Sequence, residues 1–305
     1  MTQEDNSNTD SSPQKARKIG MLTDVGQVRT VDEDSILVAD LSFGVNSKSS
    51  NFHLLVVADG MGGHAKGEEA SKIALSAISR SVISELVNDT SFTKLLEQGI
   101  QNANQDILDY TAIHPESSGM GTTSVCAIVE GNAVHLANVG DSRAYVISDD
   151  EIRRVTKDHS YVQQMVDEGT ITPKEAEDHP MKNRILQAIG GEKTKPDLNS
   201  ETLYQDDILL LCTDGLSGEV SADEMWENVK SSKPMDACKT LVDLANERGG
   251  PDNSTVIIVR VEKGPKPAPV TTTETTQIIQ TSDEKSDQSN IFTIILVAIV
   301  AIVAI

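Results

Sequence analysis

Apolar residues between about residue 19 and residue 261 fall into short runs and longer periodic blocks. The short runs are rich in Val, Ile, Leu and Ala, as buried β-strands are. They predict strands at His53–Ala58, Thr122–Val129, Ala133–Val139, Ile208–Cys212 and Ser254–Val261. The segment Glu130-Gly131-Asn132 lies between two of these runs and predicts a tight hairpin turn.

Two longer blocks repeat their apolar residues every three or four positions. Between Glu68 and Leu86, and again between Phe92 and Tyr110, this spacing predicts amphipathic helices. Strands, then helices, then a hairpin, without regular alternation, favour an α+β layered domain over a doubly wound parallel sheet. No Pro-, Gly- or Ser-rich break divides residues 19–262, so we expect them to form one domain.

The two ends of the chain differ from this central region. Residues 1–18 are polar and predict a disordered tail, and residues 263–290 are rich in Pro, Thr and Ser, which is typical of a linker. Residues 291–305 are apolar except for Thr293, and as a helix they would extend about 22 Å, against about 30 Å of bilayer hydrocarbon. We predict a single-pass membrane segment. Local thinning of the bilayer, or a chain that continues beyond Ile305, would close the gap between the helix length and the bilayer thickness. The alternative is a buried core helix.

Composition and charge narrow the possible functions. The formal net charge of -21 excludes nucleic acid as a partner, because phosphate backbones require a Lys- and Arg-rich surface. The three cysteines are widely spaced and predict buried thiols rather than disulfides or a zinc site. The N-terminus has no apolar signal region, so we expect the folded domain on the cytoplasmic side of the membrane.

Four aspartates lie at the ends of predicted strands, next to or near glycine. Asp59, Asp141 and Asp214 follow apolar runs, and Asp252 precedes one. A single Asp-Gly pair usually marks only a turn. Several in one domain, without Cys and His at zinc spacing, favour a hard divalent cation held by oxygen ligands.

Five sequence blocks, in order, resemble the bacterial metal-dependent serine/threonine protein phosphatases of the type 2C family. The blocks are Thr23–Asp34, Val56–Ser71, Gly121–Tyr145, Leu210–Ser221 and Gly249–Val259. The resemblance implies a layered sandwich of two antiparallel β-sheets flanked by helices. It also implies phosphorylated proteins as partners, a Ser/Thr kinase among them.

The resemblance implies a site with two Mn²⁺ or Mg²⁺ ions, and a weaker third. Asp59 matches the bridging ligand, and the Gly60 carbonyl a second contact. Asp34, and Glu33 beside it, match carboxylates that contact the metals directly or through water. The resemblance further implies Asp214 and Asp252 as metal ligands, and Asp141 as a ligand of the third ion. One departure is Asp32, which stands where an Asn commonly precedes the acidic pair and adds a negative charge there.

The implied reaction is hydrolysis of phosphoserine or phosphothreonine by a hydroxide that bridges the two metals. Arg29 matches the Arg that binds the substrate phosphate, and His64 is a candidate proton donor to the leaving group. Residues 157–191, here called the insertion, resemble the flap beside the site. Asp158, in its first turn, is a further candidate to approach the third metal.

Two other functions are compatible with the same residues. One is a two-metal phosphoesterase that acts on small phosphorylated molecules, and the other is a phosphatase-like scaffold without activity. A scaffold is expected to have lost ligands, whereas Asp34, Asp59, Asp214 and Asp252 are all present.

Overall fold

The computed structural model describes residues 17–45, 48–62, 66–86, 88 and 90–266. These residues belong to the unit Met1–Pro267, and a second unit, Ala268–Ile305, lies outside the described residues. His64, most of the predicted N-terminal tail and linker, and the predicted membrane segment are therefore also outside them.

The strands of the described region form two sheets in which every pair is antiparallel. The first sheet has the order β1-β11-β10-β7-β8, and the second has the order β2-β3-β5-β6-β9 with β4 added to β3. The strands are β1 Arg17–Asp24, β2 Asp34–Val45, β3 Lys48–Met61, β4 Gly121–Thr122, β5 Ser124–Glu130, β6 Ala133–Val139, β7 Arg143–Ile147, β8 Ile152–Arg154, β9 Asp197–Thr202, β10 Ile208–Cys212 and β11 Ser254–Val261.

Helices cover the outer face of each sheet. The helices are α1 Lys66–Glu85, α2 Phe92–Ile113, α3 Tyr161–Asp167, α4 Pro173–Glu177, α5 Asp214–Ser217, α6 Ala222–Lys230 and α7 Pro234–Glu247. Helices α1 and α2 pack on the second sheet through one apolar cluster, and α5, α6 and α7 pack on the first sheet through another. The result is a helix–sheet–sheet–helix arrangement.

Strand β3 shows how the sequence fills this arrangement. Its side chains alternate between the two faces of the sheet, so Leu54 and Val56 contact the α1/α2 layer while Leu55 and Val57 contact the other sheet. All four are fully buried, and each contributes about 2 kcal/mol of hydrophobic stabilisation. A strand buried on both faces needs an uninterrupted apolar run, which the sequence here provides.

The layered α+β fold predicted from the sequence is confirmed. Both predicted helices form, and β3 extends beyond its predicted run at both ends. The predicted strand Thr122–Val129 is interrupted at Thr123, because Thr122 belongs to β4, which pairs with Gly60, and β5 begins at Ser124. The other predicted strands are present. The three cysteines are buried free thiols, and burial raises the pKa of each to about 12. The N-terminal boundary differs slightly, because β1 begins at Arg17 inside the predicted tail and pairs Arg17 with Val261.

Within the part of the chain that the structure describes, no helix is both long and apolar enough to cross a membrane.

Candidate active site

Asp34 and Asp59 face each other across two paired strands. Asp34 is the first residue of β2 and lies opposite Asp59, near the end of β3. Side chains directly opposed in an antiparallel pair have their Cβ atoms about 5 Å apart. By the alternation of their strands they share a face with Ile36 and Val57, which belong to the apolar cluster between the sheets. Two carboxyl groups therefore lie side by side at one edge of the sandwich.

The other sheet brings two more aspartates to the same edge. Asp214 begins α5 directly after β10, and Asp252 lies just before β11. The Thr213 N–H donates to the Thr255 carbonyl at 3.1 Å, and the Thr213 hydroxyl donates to Asp34 Oδ2 at 3.0 Å. This hydroxyl is a direct link between the two sheets and holds the Asp34 carboxylate.

Asn253 holds the loop that precedes β2 against this edge. Its side-chain amide donates to the carbonyls of Val25 and Val31, each at 3.0 Å. Its side-chain oxygen accepts from the Glu33 N–H at 2.9 Å, and the Gly60 N–H donates to the Glu33 carbonyl at 3.2 Å. One buried amide thus orders the segment from β1 to β2 next to Gly60.

Two glycines at the edge have no space for a side chain. A Cβ on Gly60 would overlap the carbonyl of Gly67 and crowd that of Glu33. A Cβ on Gly215 would overlap the carbonyl of Asn253. The glycines that follow Asp59 and Asp214 are therefore required by close backbone approach.

Arg29 lies at the rim of the site and contacts a predicted metal ligand. Its Nη2 donates to Asp252 Oδ2 at 2.8 Å, and both side chains are partly exposed to solvent. The Gln27 N–H donates to the Gly250 carbonyl at 2.8 Å, so the Arg29 loop is also attached through its backbone. The guanidinium is therefore placed beside the acidic cluster, with its remaining donors available.

Burial and mutual repulsion dominate the electrostatics of the cluster. The pKa of Asp34 is raised to about 8, mainly by burial and also by the charges of Asp32 and Asp214, while hydrogen bonds from threonine hydroxyls oppose the shift. Burial, followed by the charges of Asp34 and Asp214, raises the pKa of Asp59 well above its usual range. Burial raises the pKa of Asp214 as well, and that of Asp141 to about 8. A cation among these groups would relieve this repulsion.

The donor set fits a hard divalent cation. Within residues 17–266, excluding the gaps given above, no three His, Cys, Asp or Glu side chains form a ready-made ligand shell. A cation is indicated instead by the mutual repulsion of the carboxyls and by two buried oxygens without a hydrogen-bond partner, Asp34 Oδ1 and Asp141 Oδ1. Carboxylate and carbonyl oxygens are the ligands that Mg²⁺ and Mn²⁺ prefer.

Asp141 lies in the turn between β6 and β7, next to Gly140. The negative charge of Asp214 contributes to its raised pKa, which puts Asp141 within electrostatic reach of the cluster. Asp158, which the sequence also offered for the third metal, has other partners here. Its carboxylate accepts from Arg143 Nη2 at 2.7 Å and from Arg154 Nη1 at 3.2 Å.

His53 and His135 have partners outside the acidic cluster, and His64, the candidate proton donor, is outside the described residues. His53 is buried beside Asp40, and burial lowers its pKa. His135 is within hydrogen-bonding distance of Thr93 and Ser200. Both are therefore packing residues of their strands.

The structure thus brings Asp34, Asp59, Asp214 and Asp252 to one edge, with Gly60 and Glu33 adjoining and Arg29 at the rim. Sequence reasoning did not single out Thr213 or Asn253, which hold these groups in place. Each adjoins an aspartate at the end of a strand, and this position was the only sequence signal for them.

This fold and its acidic edge define the class of the protein. A sequence profile described as Protein phosphatase 2C matches residues 35–247, and the chain belongs to this family. The family and the fold class expected from the sequence are both confirmed.

Bacterial serine/threonine phosphatases are similar to the chain over most of its length. Serine/threonine protein phosphatase PstP of Mycobacterium tuberculosis is 36% identical over 239 residues, which are 78% of this chain and 44% of that protein. Serine/threonine phosphatase stp of Listeria monocytogenes is 36% identical over 241 residues, 78% of this chain and 93% of that protein. The chain therefore spans less than half of the mycobacterial relative and nearly all of the listerial one.

A solved structure agrees with the same assignment. The catalytic domain of PstP, crystallised in complex with two manganese ions, matches with a TM-score of 0.69 and 34% identity. The match covers 81% of this chain and 99% of that one.

Proposed function

We propose that this chain is a metal-dependent serine/threonine protein phosphatase that hydrolyses phosphoserine and phosphothreonine monoesters. The observation that carries the proposal is the meeting of Asp34 and Asp59 from one sheet with Asp214 and Asp252 from the other. Four carboxyls lie at one edge, where burial and then mutual repulsion raise the pKa of Asp34, Asp59 and Asp214, and such a set suits a pair of divalent cations. Membership of the family and the two manganese ions of the PstP structure support the same conclusion.

The residues that would hold Mn²⁺ or Mg²⁺ are those of the acidic edge. Asp59, which faces Asp34 across the strand pair, matches the family's shared metal ligand, and burial and then the charges of Asp34 and Asp214 raise its pKa. The Gly60 carbonyl and Asp252 would be further oxygen ligands, and Asp141 would hold a weaker third ion. When bound, such ions lower the pKa of water and neutralise charge that develops on the phosphoryl group.

The protein's own groups orient the substrate. Arg29 presents a planar fork of N–H donors that matches two phosphate oxygens, and its ion pair with Asp252 aims it at the site. The Thr213 hydroxyl fixes one Asp34 oxygen, leaving the other unpartnered. His64 remains a candidate proton donor to the leaving alkoxide.

A substrate comparison tests the proposal against its alternatives. The full chain is assayed with phosphothreonine peptides, a dinucleotide and a sugar phosphate, each with Mn²⁺ and with EDTA. We expect Mn²⁺-dependent release of phosphate from the peptides and little turnover of the other two. Preference for the sugar phosphate or the dinucleotide would favour a small-molecule phosphoesterase, and no turnover at all would favour a scaffold.

We further propose that residues 291–305 attach the protein to a membrane, with the phosphatase domain on the cytoplasmic side. Support comes from the sequence, where fifteen residues are apolar except for Thr293. Phosphorylated proteins at that membrane, a Ser/Thr kinase among them, would then be the substrates.

Fractionation tests the attachment. The truncated variant should end after Lys266, because the Pro265 carbonyl accepts from the Gln205 N–H at 2.9 Å and belongs to the fold. We expect this variant to be soluble and fully active, and the full chain to pellet with membranes and resist carbonate extraction. A full chain that stays in the soluble fraction would rule out the anchor.

A further inference from the structure

His159, near the start of the insertion, contacts three separate segments of the chain. The side chain is buried, and the residue precedes Ser160, which caps the N-terminus of α3. Its N–H donates to the Gly140 carbonyl at 2.8 Å, and its carbonyl accepts from the Leu186 N–H at 2.7 Å. Its ring Nε2 lies 3.3 Å from a carboxylate oxygen of Asp197, at the start of β9.

The closest of these relations is with Gly140. The Gly140 N–H donates to His159 Nδ1 at 3.3 Å, so both polar groups of the Gly140 backbone are bound by the one histidine. With Nδ1 as acceptor, the ring proton belongs on Nε2, from which it points to Asp197. Gly140 has φ +98, and a Cβ there would lie 2.6 Å from that of Thr123. Only glycine can adopt this conformation here, and the hydrogen bonds with His159 hold it in place.

Gly140 immediately precedes Asp141. On the far side of Asp141, the Ser142 hydroxyl lies 2.7 Å from the Thr123 hydroxyl, and the Thr123 N–H donates to the Asp59 carbonyl at 2.8 Å. Asp141 is thus held between two attachments. On one side, Ser142 and Thr123 connect it to the Asp59 backbone. On the other side, Gly140 connects it to His159.

The same histidine fixes the part of the insertion that returns to the sheet. Besides the bond from Leu186 to His159, the Tyr161 N–H donates to the Arg184 carbonyl at 2.8 Å. The Arg184 guanidinium also lies over the Tyr161 ring, 5.1 Å from its centre. The returning segment 184–186 and the turn that carries Asp141 therefore share His159 as their common attachment.

We propose that His159 is a positioning residue of the phosphatase site: it acts through Gly140 to hold Asp141, and it joins the Asp141 turn to the insertion. This inference rests on the proposed function for its catalytic meaning, but its structural content does not depend on it. The role belongs mainly to Nδ1, since Nδ1 is the ring atom that meets Gly140.

Two substitutions of His159 distinguish the role of Nδ1 from that of Nε2. In His159→Asn the amide oxygen takes approximately the place of Nδ1 and can accept from Gly140, whereas the Asp197 contact is lost. In His159→Gln a polar atom takes approximately the place of Nε2, whereas the Gly140 N–H loses its acceptor. A matched control is His135→Gln, because His135 is a partly buried strand histidine whose partners, Thr93 and Ser200, lie outside the acidic edge.

Amide hydrogen exchange of the full chain, with EDTA and with Mn²⁺, is the primary measurement. We expect His159→Gln to speed exchange of the Gly140 and Leu186 amides by about tenfold or more and to leave the Leu211 amide in β10 unchanged. His159→Asn should keep Gly140 close to wild type. If Gly140 exchanges equally in the Asn and Gln variants, or is unaffected in both, the proposal is wrong.

Kinetics on a phosphothreonine peptide give the second measurement. We expect kcat to fall about tenfold or more in His159→Gln, to stay within about twofold in His159→Asn, and not to change in His135→Gln. An equal fall in kcat in both His159 variants would show that His159 acts only through packing. A wild-type chain that hydrolyses no phosphopeptide would overturn the proposed function, and the exchange data alone would then decide the role of His159.

Discussion

Asp34 occupies a position that belongs, by strand alternation, to the apolar space between the sheets. Its neighbours on that face, Ile36 and Val38, pack into the core. A carboxylate there is costly, since burial disfavours its charge and Asp214 repels it. The residue is therefore explained by chemistry at the site and not by stability.

Replacing Asp34 tests this explanation. Asp34→Asn keeps the shape and an oxygen for the Thr213 hydroxyl but removes the buried charge. In EDTA we expect the melting temperature at pH 8 to rise by about 2 °C or more, equivalent to about 1 kcal/mol. Activity with Mn²⁺ should fall about 100-fold or more. Asp106→Asn, which removes an exposed ion pair with Arg80, should change neither. A less stable Asp34→Asn protein would contradict the account.

Arg29 makes a prediction about substrate binding. Because a guanidinium contact to phosphate exists in both ground and transition states, Arg29→Ala should raise KM about tenfold, ~1.4 kcal/mol, and lower kcat less. Steady-state kinetics with p-nitrophenyl phosphate and a phosphothreonine peptide measure both constants. Arg80→Ala on α1 is the control and should leave them unchanged. An unaltered KM for both substrates would remove Arg29 from phosphate binding.

At the scale of elements, the junction of β3 with α1 depends on a glycine. A Cβ on Gly60 would overlap the Gly67 carbonyl, and neither backbone can move without shifting the strand that carries Asp59. Gly60→Ala should lower the free energy of unfolding by about 1–3 kcal/mol and reduce activity.

Urea unfolding, with activity measured on the same samples, checks this prediction. Gly131→Asn is the matched control, because Gly131 has φ +56 in open space and Asn tolerates that region. We expect it to change stability by less than about 1 kcal/mol. A Gly60→Ala protein as stable as Gly131→Asn would show that the junction is not tightly packed.

The elements with strong apolar patterns could be predicted from the sequence, and the others could not. Strand β10 is a fully buried apolar run, and α1 repeats its apolar residues at helical spacing. Strand β9, Asp197–Thr202, is mostly exposed and polar, and its identity as a strand comes from pairing with β6. Strand β2 begins at Asp34, the last of three consecutive acidic residues, and the apolar pattern therefore did not predict it.

The candidate site also has residues that the sequence pattern predicts and residues that it does not. Asp59, Asp141, Asp214 and Asp252 are visible because each stands at a strand end beside or near glycine, whereas Asp34 is visible only through the resemblance of its sequence block to the family. The register that places Asp34 opposite Asp59 is a property of two strands together, and no local pattern encodes it. Thr213, Asn253 and His159 have their roles only through segments distant in sequence, so single-chain periodicity could not reveal them.

For the whole molecule, the raised pKa values link stability to pH and to metal. Asp34 and Asp141 have folded-state pKa values of about 8, against 3.8 as the ordinary value, so the metal-free fold retains protons that the unfolded chain releases. Their contribution to stability is complete at low pH and is lost as pH rises from about 4 to about 8. In EDTA the melting temperature should therefore fall across this range.

Metal ions should act in the opposite direction. Because the cation replaces those protons, Mn²⁺ affinity rises with pH, and the gap between melting temperatures with and without Mn²⁺ should widen from about pH 5 to pH 8. Calorimetric melting in both conditions measures the gap, and Asp34→Asn should flatten the EDTA series. A gap that is constant with pH would contradict the linkage.

The most direct test of the central claim is Mn²⁺ titration of phosphothreonine-peptide hydrolysis by the full chain, comparing wild type with Asp59→Asn. Asp40→Asn is the control, since Asp40 pairs with His53 away from the acidic edge. We expect no activity without metal, saturable activation of wild type and the Asp40 variant, and a loss of about 100-fold or more in Asp59→Asn at saturating Mn²⁺. Near-normal turnover by Asp59→Asn, or activity that persists in EDTA, would contradict it.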